Sequence, residues 1–89
     1  MRDSNINNPK SPKYYVKRYL DSVKEELQGK IVVDFPAGNG ITTEILMQNG
    51  AIAEPFDLFP EYFLLTDIEC KRATEINTKF SIRIFYCNH

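Results

Sequence analysis

The sequence predicts an α/β fold built on a short, mostly parallel sheet of three to four strands with flanking helices. Three observations carry this. The apolar run Ile31-Val32-Val33 ends in Asp34 and passes at once into Pro36, Gly38 and Gly40, as a parallel strand buried on both faces does when it enters a tight loop. Ahead of it, Val16, Leu20, Val23 and Leu27 recur at helical spacing. Behind it, Ile41, Ile45 and Leu46 mark one side of a second helix, and a further apolar run follows, so helix and strand alternate along the chain.

With 89 residues, 43% hydrophobic and 26% charged, the chain can build one core, burying little more than ~60% of its unfolded surface. The net charge of −1 leaves nucleic acid unsupported as a partner, because affinity for a polyanion rests on clustered Lys and Arg. Lys10, Lys13, Lys17 and Arg18 do gather, but Asp21, Glu25 and Glu26 follow within two turns, the pattern of a solvated helix face. Cys70 and Cys87 have neither zinc-site spacing nor the density of a disulfide scaffold, and reduced thiols are expected. No apolar leader and no run of ~20 apolar residues occurs, so a cytoplasmic location and no membrane partner are expected.

In chain order, residues 1–12 are rich in Asn, Ser and Pro and are expected to form a flexible tail, with one domain over residues 13–89. A single helix is predicted over 13–28, ended by Gly29. Tyr14, Tyr15 and Tyr19 flank its apolar stripe as rim packing or as part of a ligand lid. A central strand is expected over 30–35, then a helix closed by Asn49 and Gly50. A second strand over 51–56 contains Pro55, which favours an edge or the strand's last residue, and Asp57 falls just past its end. Phe59-Pro60-Glu61 has the form of a short helix start. Alternation predicts a third strand over 67–73, with Ile68 and Cys70 opposite Glu69 and Lys71, and another over 81–87.

The loop between a parallel strand and its helix lies at the carboxyl edge of the sheet, beside a helix N-terminus, where α/β proteins bind ligands. Gly38 and Gly40 permit positive φ and close approach of a ligand to the backbone, and Asp34 can accept a hydrogen bond from an ammonium or a hydroxyl. The dinucleotide fingerprint G-x-G-x-x-G fails at its third position, which is Thr43, and no P-loop motif is present.

Asp34-Phe35-Pro36-Ala37-Gly38-Asn39-Gly40 resembles instead the first motif of the Rossmann-like S-adenosylmethionine-dependent methyltransferases, an acid followed by G-x-G-x-G, with Pro36 in the first glycine slot. The resemblance continues at Asp57, where this family carries an acid for the ribose hydroxyls. It implies a partial Rossmann-like three-layer fold whose loop, Asp34, Pro36, Ala37, Gly38, Asn39 and Gly40, lies against the methionine and ribose of S-adenosylmethionine or S-adenosylhomocysteine. Asp57 would take the ribose diol, and Leu58 and Phe59 would wall the adenine. The alternative reading of Asp57 is a strand-end turn or capping acid. After the third strand the pattern departs from the family: Thr74 stands where an acid is expected and Glu75 comes one step late.

The resemblance spans residues 13–77, the cofactor-binding half of such an enzyme, and implies a truncated methyltransferase able at most to bind its cofactor. No residue reads as a general base, and His89 is the single histidine. A non-enzymatic small α/β module is the alternative. Strand 31–35 is interior in the complete fold, so its free edge is expected to be covered either by residues 81–87 or by another chain, the latter giving a homo-oligomer through the sheet edge.

Overall fold

The computed structural model describes residues 7–75 and 83–85. Helix α1 (Pro12–Ser22) opens on Ser11, whose side chain accepts the Lys13 amide, with Pro12 in the first turn, where its missing N–H costs nothing. The single helix expected over 13–28 is broken. Val23 leaves helical geometry, and a single turn, α2 (Lys24–Leu27), follows. The Ser22 hydroxyl donates to the Tyr19 carbonyl at 2.6 Å, a local bond that competes with the helix ladder.

Strand β1 (Ile31–Asp34) leads through the loop into α3 (Ile41–Gln48), and the chain returns in β2 (Ile52–Asp57). A 3-10 turn over Pro60–Tyr62, the two-residue β3 (Lys71–Arg72), a second 3-10 turn over Ala73–Glu75 and β4 (Arg83–Phe85) complete the described elements. All pairings are parallel and the strand order is β3-β2-β1-β4. The chain is therefore α/β, with the strand order that forms the first four positions of a doubly wound sheet. No described helix is long and apolar enough to cross a membrane.

β1 is the spine. Val32, Val33 and Asp34 pair with Ala53, Glu54 and Pro55 on one side and with Arg83, Ile84 and Phe85 on the other. Of the two arrangements foreseen for its free edge, the chain itself supplies the covering strand. Val32 and Ala53 join Leu20, Leu27, Ile41, Ile45, Leu46 and Ala51 in one buried cluster under the helices, with Val16 and Val23 packed at its margin. Val33 and Phe56 point to the other face by strand alternation and are just as deeply buried, so the sheet centre is covered on both sides. α1 is fastened across the C-terminal end of α3 by Asp21, which accepts from Asn49 Nδ2 at 2.9 Å and from Lys17 Nζ at 2.6 Å. Those two bonds hold the Asp21 carboxyl below its usual range.

Further expectations are corrected. β2 lies between β3 and β1 with Pro55 inside it and Asp57 as its last residue, where the sequence alone favours an edge or a strand end for Pro55 and a place just past the strand for Asp57. Tyr15 and Tyr19 face solvent instead of packing at the rim of the core, because the stripe that α1 buries is the one through Leu20. The strand expected over 67–73 shrinks to Lys71–Arg72, paired with Phe56 and Asp57. The Ile52 amide donates to the carbonyl of Lys30, the residue just before β1, so alternation turns the Ala53 and Pro55 nitrogens toward β3. Continuing the register backward would set Cys70 opposite Pro55, whose ring nitrogen offers no ladder donor. The strand expected over 81–87 is seen at Arg83–Phe85; its flanks, and residues 1–6 of the expected tail, lie outside the described residues.

The core makes a direct test of this packing. Leu46→Ala is expected to lower the unfolding free energy by about 2–5 kcal/mol, most of the stability of a chain this small. Met47→Ala, at the neighbouring exposed position, should stay within about 0.5 kcal/mol. Urea denaturation of the two variants beside the parent chain checks the pair; equal losses would contradict the assignment of faces.

Candidate functional site

The parallel pairing of β1 with β2 brings Asp34 and Asp57 to the same edge of the sheet, and the loop between β1 and α3 closes over it. The chain leaves β1 through a cis Phe35–Pro36 peptide. Pro36 has no N–H, and the next amide, Ala37, donates to Phe56 O at 2.8 Å, prolonging the β1–β2 ladder by one bond into the loop. Gly38 and Gly40 follow at φ +57° and +101°, left-handed values that a side chain disfavours. Between them Asn39 Oδ1 accepts the Ile41 amide at 3.2 Å, in the first turn of α3.

Asp57 binds the site together. Its Oδ2 accepts the Gly38 amide at 2.8 Å and its Oδ1 accepts the Phe59 amide, also at 2.8 Å. One carboxylate thus joins the glycine loop to the loop after β2. Both readings of Asp57 left open by the sequence meet here: it is a strand-end turn acid by its contact with Phe59, and it lies directly beside the glycine loop. A carboxylate oxygen accepts more than one hydrogen bond, so these amides do not exhaust it.

Asp34 is fully buried. Its Oδ2 accepts the Thr43 hydroxyl at 2.6 Å, while its Oδ1 meets no donor among the described residues. Burial pushes its carboxyl up to about 6, against the opposing influence of the Thr43 bond and of the Lys13 ammonium, with Asp57 adding a smaller upward push. Lys13 Nζ donates to Thr42 Oγ1 at 2.9 Å, which brings α1 onto the first turn of α3. Cys70 is half-buried, and burial pushes its thiol up to about 11, with Asp57 and Asp34 acting in the same direction. It stays protonated at neutral pH and is a poor nucleophile.

The glycines differ in what surrounds them. A methyl group built on Gly38 would meet nothing within 4 Å, whereas one on Gly40 would lie 3.0 Å from Leu65 Cγ and 3.1 Å from Phe63 Cε1. The close approach expected of a ligand at Gly40 is thus taken by the chain's own residues. Leu58 and Phe59 are each 55% exposed and stand beside the loop without enclosing a slot. Pro36 is half-buried, Ala37 buried, and Asn39 exposed. Of the region expected to meet the adenine amino group, Thr74 is exposed within the 3-10 turn Ala73–Glu75. A shallow hollow of about 370 Å³ lined by residues 21–26 lies at the other end of α3 and holds none of this chemistry.

Sequence reasoning missed Thr43, Lys13, Phe63 and Leu65. Thr43 was readable only as a departure from glycine; yet the same slot is where helix and strand come closest, which is why its hydroxyl reaches Asp34. Among the described residues no three His, Cys, Asp or Glu side chains are placed to hold a metal ion. Fold and site together define a parallel α/β domain with a strand, glycine loop and helix at its carboxyl edge and two carboxylates beneath that loop. Comparison with family models, with curated proteins and with solved structures gives no match for this chain.

A carboxyl whose native pKa is raised contributes stability that is present below its unfolded value, near 3.8, and is lost as the pH rises through about 6. The loss for Asp34 is on the order of 2–3 kcal/mol. Asp34→Asn keeps an acceptor for Thr43 and removes the charge, so it is expected to be more stable than the parent at pH 7.5, with the gap narrowing toward pH 4. Urea melts of both proteins at the two pH values provide the check. A gap of the same size at both would mean that ionisation of Asp34 is not its source.

Proposed function

We propose that this chain is a cofactor-binding half of the S-adenosylmethionine-dependent methyltransferase type, holding S-adenosylmethionine or S-adenosylhomocysteine at the 34–40 loop. The observation that carries the reading is the Asp57 carboxylate bonded to the Gly38 amide, since it joins the two positions that such a cofactor would span. The strand order supports it. The order in which strands are added to the sheet reverses between β1 and β4, and α/β sheets bind ligands at such a switch point.

In this reading Gly38, open above its backbone, receives the cofactor's ribose and methionine portion, and Asp57 uses its remaining acceptor capacity for the ribose diol. Asp34, with Oδ1 unpartnered, is an acceptor for the ammonium of the amino-acid end, an interaction that would also repay its burial as an anion. Leu58 and Phe59 offer apolar surface for the adenine. The cofactor would supply an electrophilic methyl group. These residues bind and orient, and none of them is placed as a base or as a nucleophile toward that methyl, so cofactor binding, not turnover, is the activity assigned.

A second reading has an observation of its own. Both Asp57 oxygens already serve backbone amides, and Phe63 and Leu65 already fill the space over Gly40, as in a self-contained α/β module whose glycine loop is a tight turn. Calorimetric titration with S-adenosylhomocysteine, run beside NADH, separates the two. Binding of the first and not the second is expected, with Asp57→Ala weakening it by about 10–100-fold, the equivalent of one or two charge-assisted hydrogen bonds. Absence of binding by either ligand would leave the module reading standing.

A further inference from the structure

The segment after the Pro60–Tyr62 turn lies on the glycine loop. Phe63 has extended backbone angles, and in an extended chain successive side chains point to opposite sides. Accordingly Phe63 and Leu65 are half-buried against Gly40, while Leu64 between them is 48% exposed. The Leu64 amide donates to Asn39 O at 3.0 Å, a backbone bond that ties the segment to the loop.

We infer that residues 63–65 form a detachable cover over the Gly40 face of the loop, which lifts away without unfolding the domain and must do so before a ligand can occupy that face. The attachment is slight. Among the described residues it consists of one backbone hydrogen bond and two half-buried side chains that lie outside the buried core cluster, while the neighbours Leu58, Phe59 and Tyr62 are exposed. Its ends are held. Upstream, the Phe59 amide is fixed by Asp57, and Arg72 Nη1 donates to Leu58 O at 2.9 Å. Downstream, Lys71 and Arg72 are paired to β2.

Between those anchors lie a 3-10 turn and bends at residues 66–68, irregular backbone that supplies slack without breaking a ladder. A ligand that competes with the cover binds with an affinity reduced by the fraction of molecules in which it is lifted.

The motion itself is tested on the unmodified chain by native-state hydrogen exchange. The Leu64 amide is expected to exchange at least ~100-fold faster than the ladder amides of β1, through local opening that low urea does not accelerate. Leu64 exchanging in step with β1 would overturn the cover. Its competition with a ligand rests on the cofactor reading above and is measured by titrating S-adenosylhomocysteine into the parent and into the double variant Phe63→Ala, Leu65→Ala, with circular dichroism confirming the fold. Binding to the variant should be roughly ten-fold tighter; equal or weaker binding overturns the competition. If neither protein binds, the cofactor reading falls, and the exchange experiment on the parent still decides the cover.

Discussion

The parallel ladder between β1 and β2 is the constraint on which the rest depends. Because the two strands run the same way in register from Ile31 opposite Ile52 to Asp34 opposite Pro55, both acids fall at the carboxyl edge of the sheet, where the strands finish, Asp57 two residues beyond the level of Asp34. Pairing β1 with β4 on its other edge then makes that finish an interior feature instead of a rim. Glycine loop, Asp34, Asp57 and the first turn of α3 are all brought together by this geometry, and none of them could be moved alone.

The two acids do different work at the same edge of the sheet. Asp57 lies where backbone amides converge, so its charge is met by two donors and the loop is fastened to its neighbour. Asp34 points under α3 into a place with one donor for two oxygens, and its burial holds the carboxyl far above its ordinary range. A buried anion with half its hydrogen bonding unmet is a local conflict that an apolar residue would avoid, and such conflicts concentrate at binding sites. That is the physical argument for placing a cationic ligand group there.

The same edge surrounds its two glycines differently. Gly38 stays open and Gly40 is roofed by Phe63 and Leu65, while Leu58, Phe59 and Tyr62 are exposed. Apolar groups that would enclose a pocket in a larger domain are here partly folded down onto the loop. A cover of this kind shields the Gly40 face of the loop and leaves Gly38 open.

Read from the residues alone, the chain declares its class, its central strand, the loop and the faces of its helices, since each depends on periodicity or on backbone freedom that a few neighbouring residues settle. Leu20, Leu27, Ile41, Ile45 and Leu46 are buried as their spacing requires, and Gly38 and Gly40 take the left-handed conformations for which glycine is needed. Other features exist only through contacts between distant segments. β3 is short because of Pro55 on a neighbouring strand. β1 is interior because Arg83–Phe85 comes back beside it. Thr43 meets Asp34 because α3 lies across the strand end, and Gly40 is covered because residues 63–65 fold onto it. Local pattern states what a segment can form, and the tertiary structure alone decides which partner it meets.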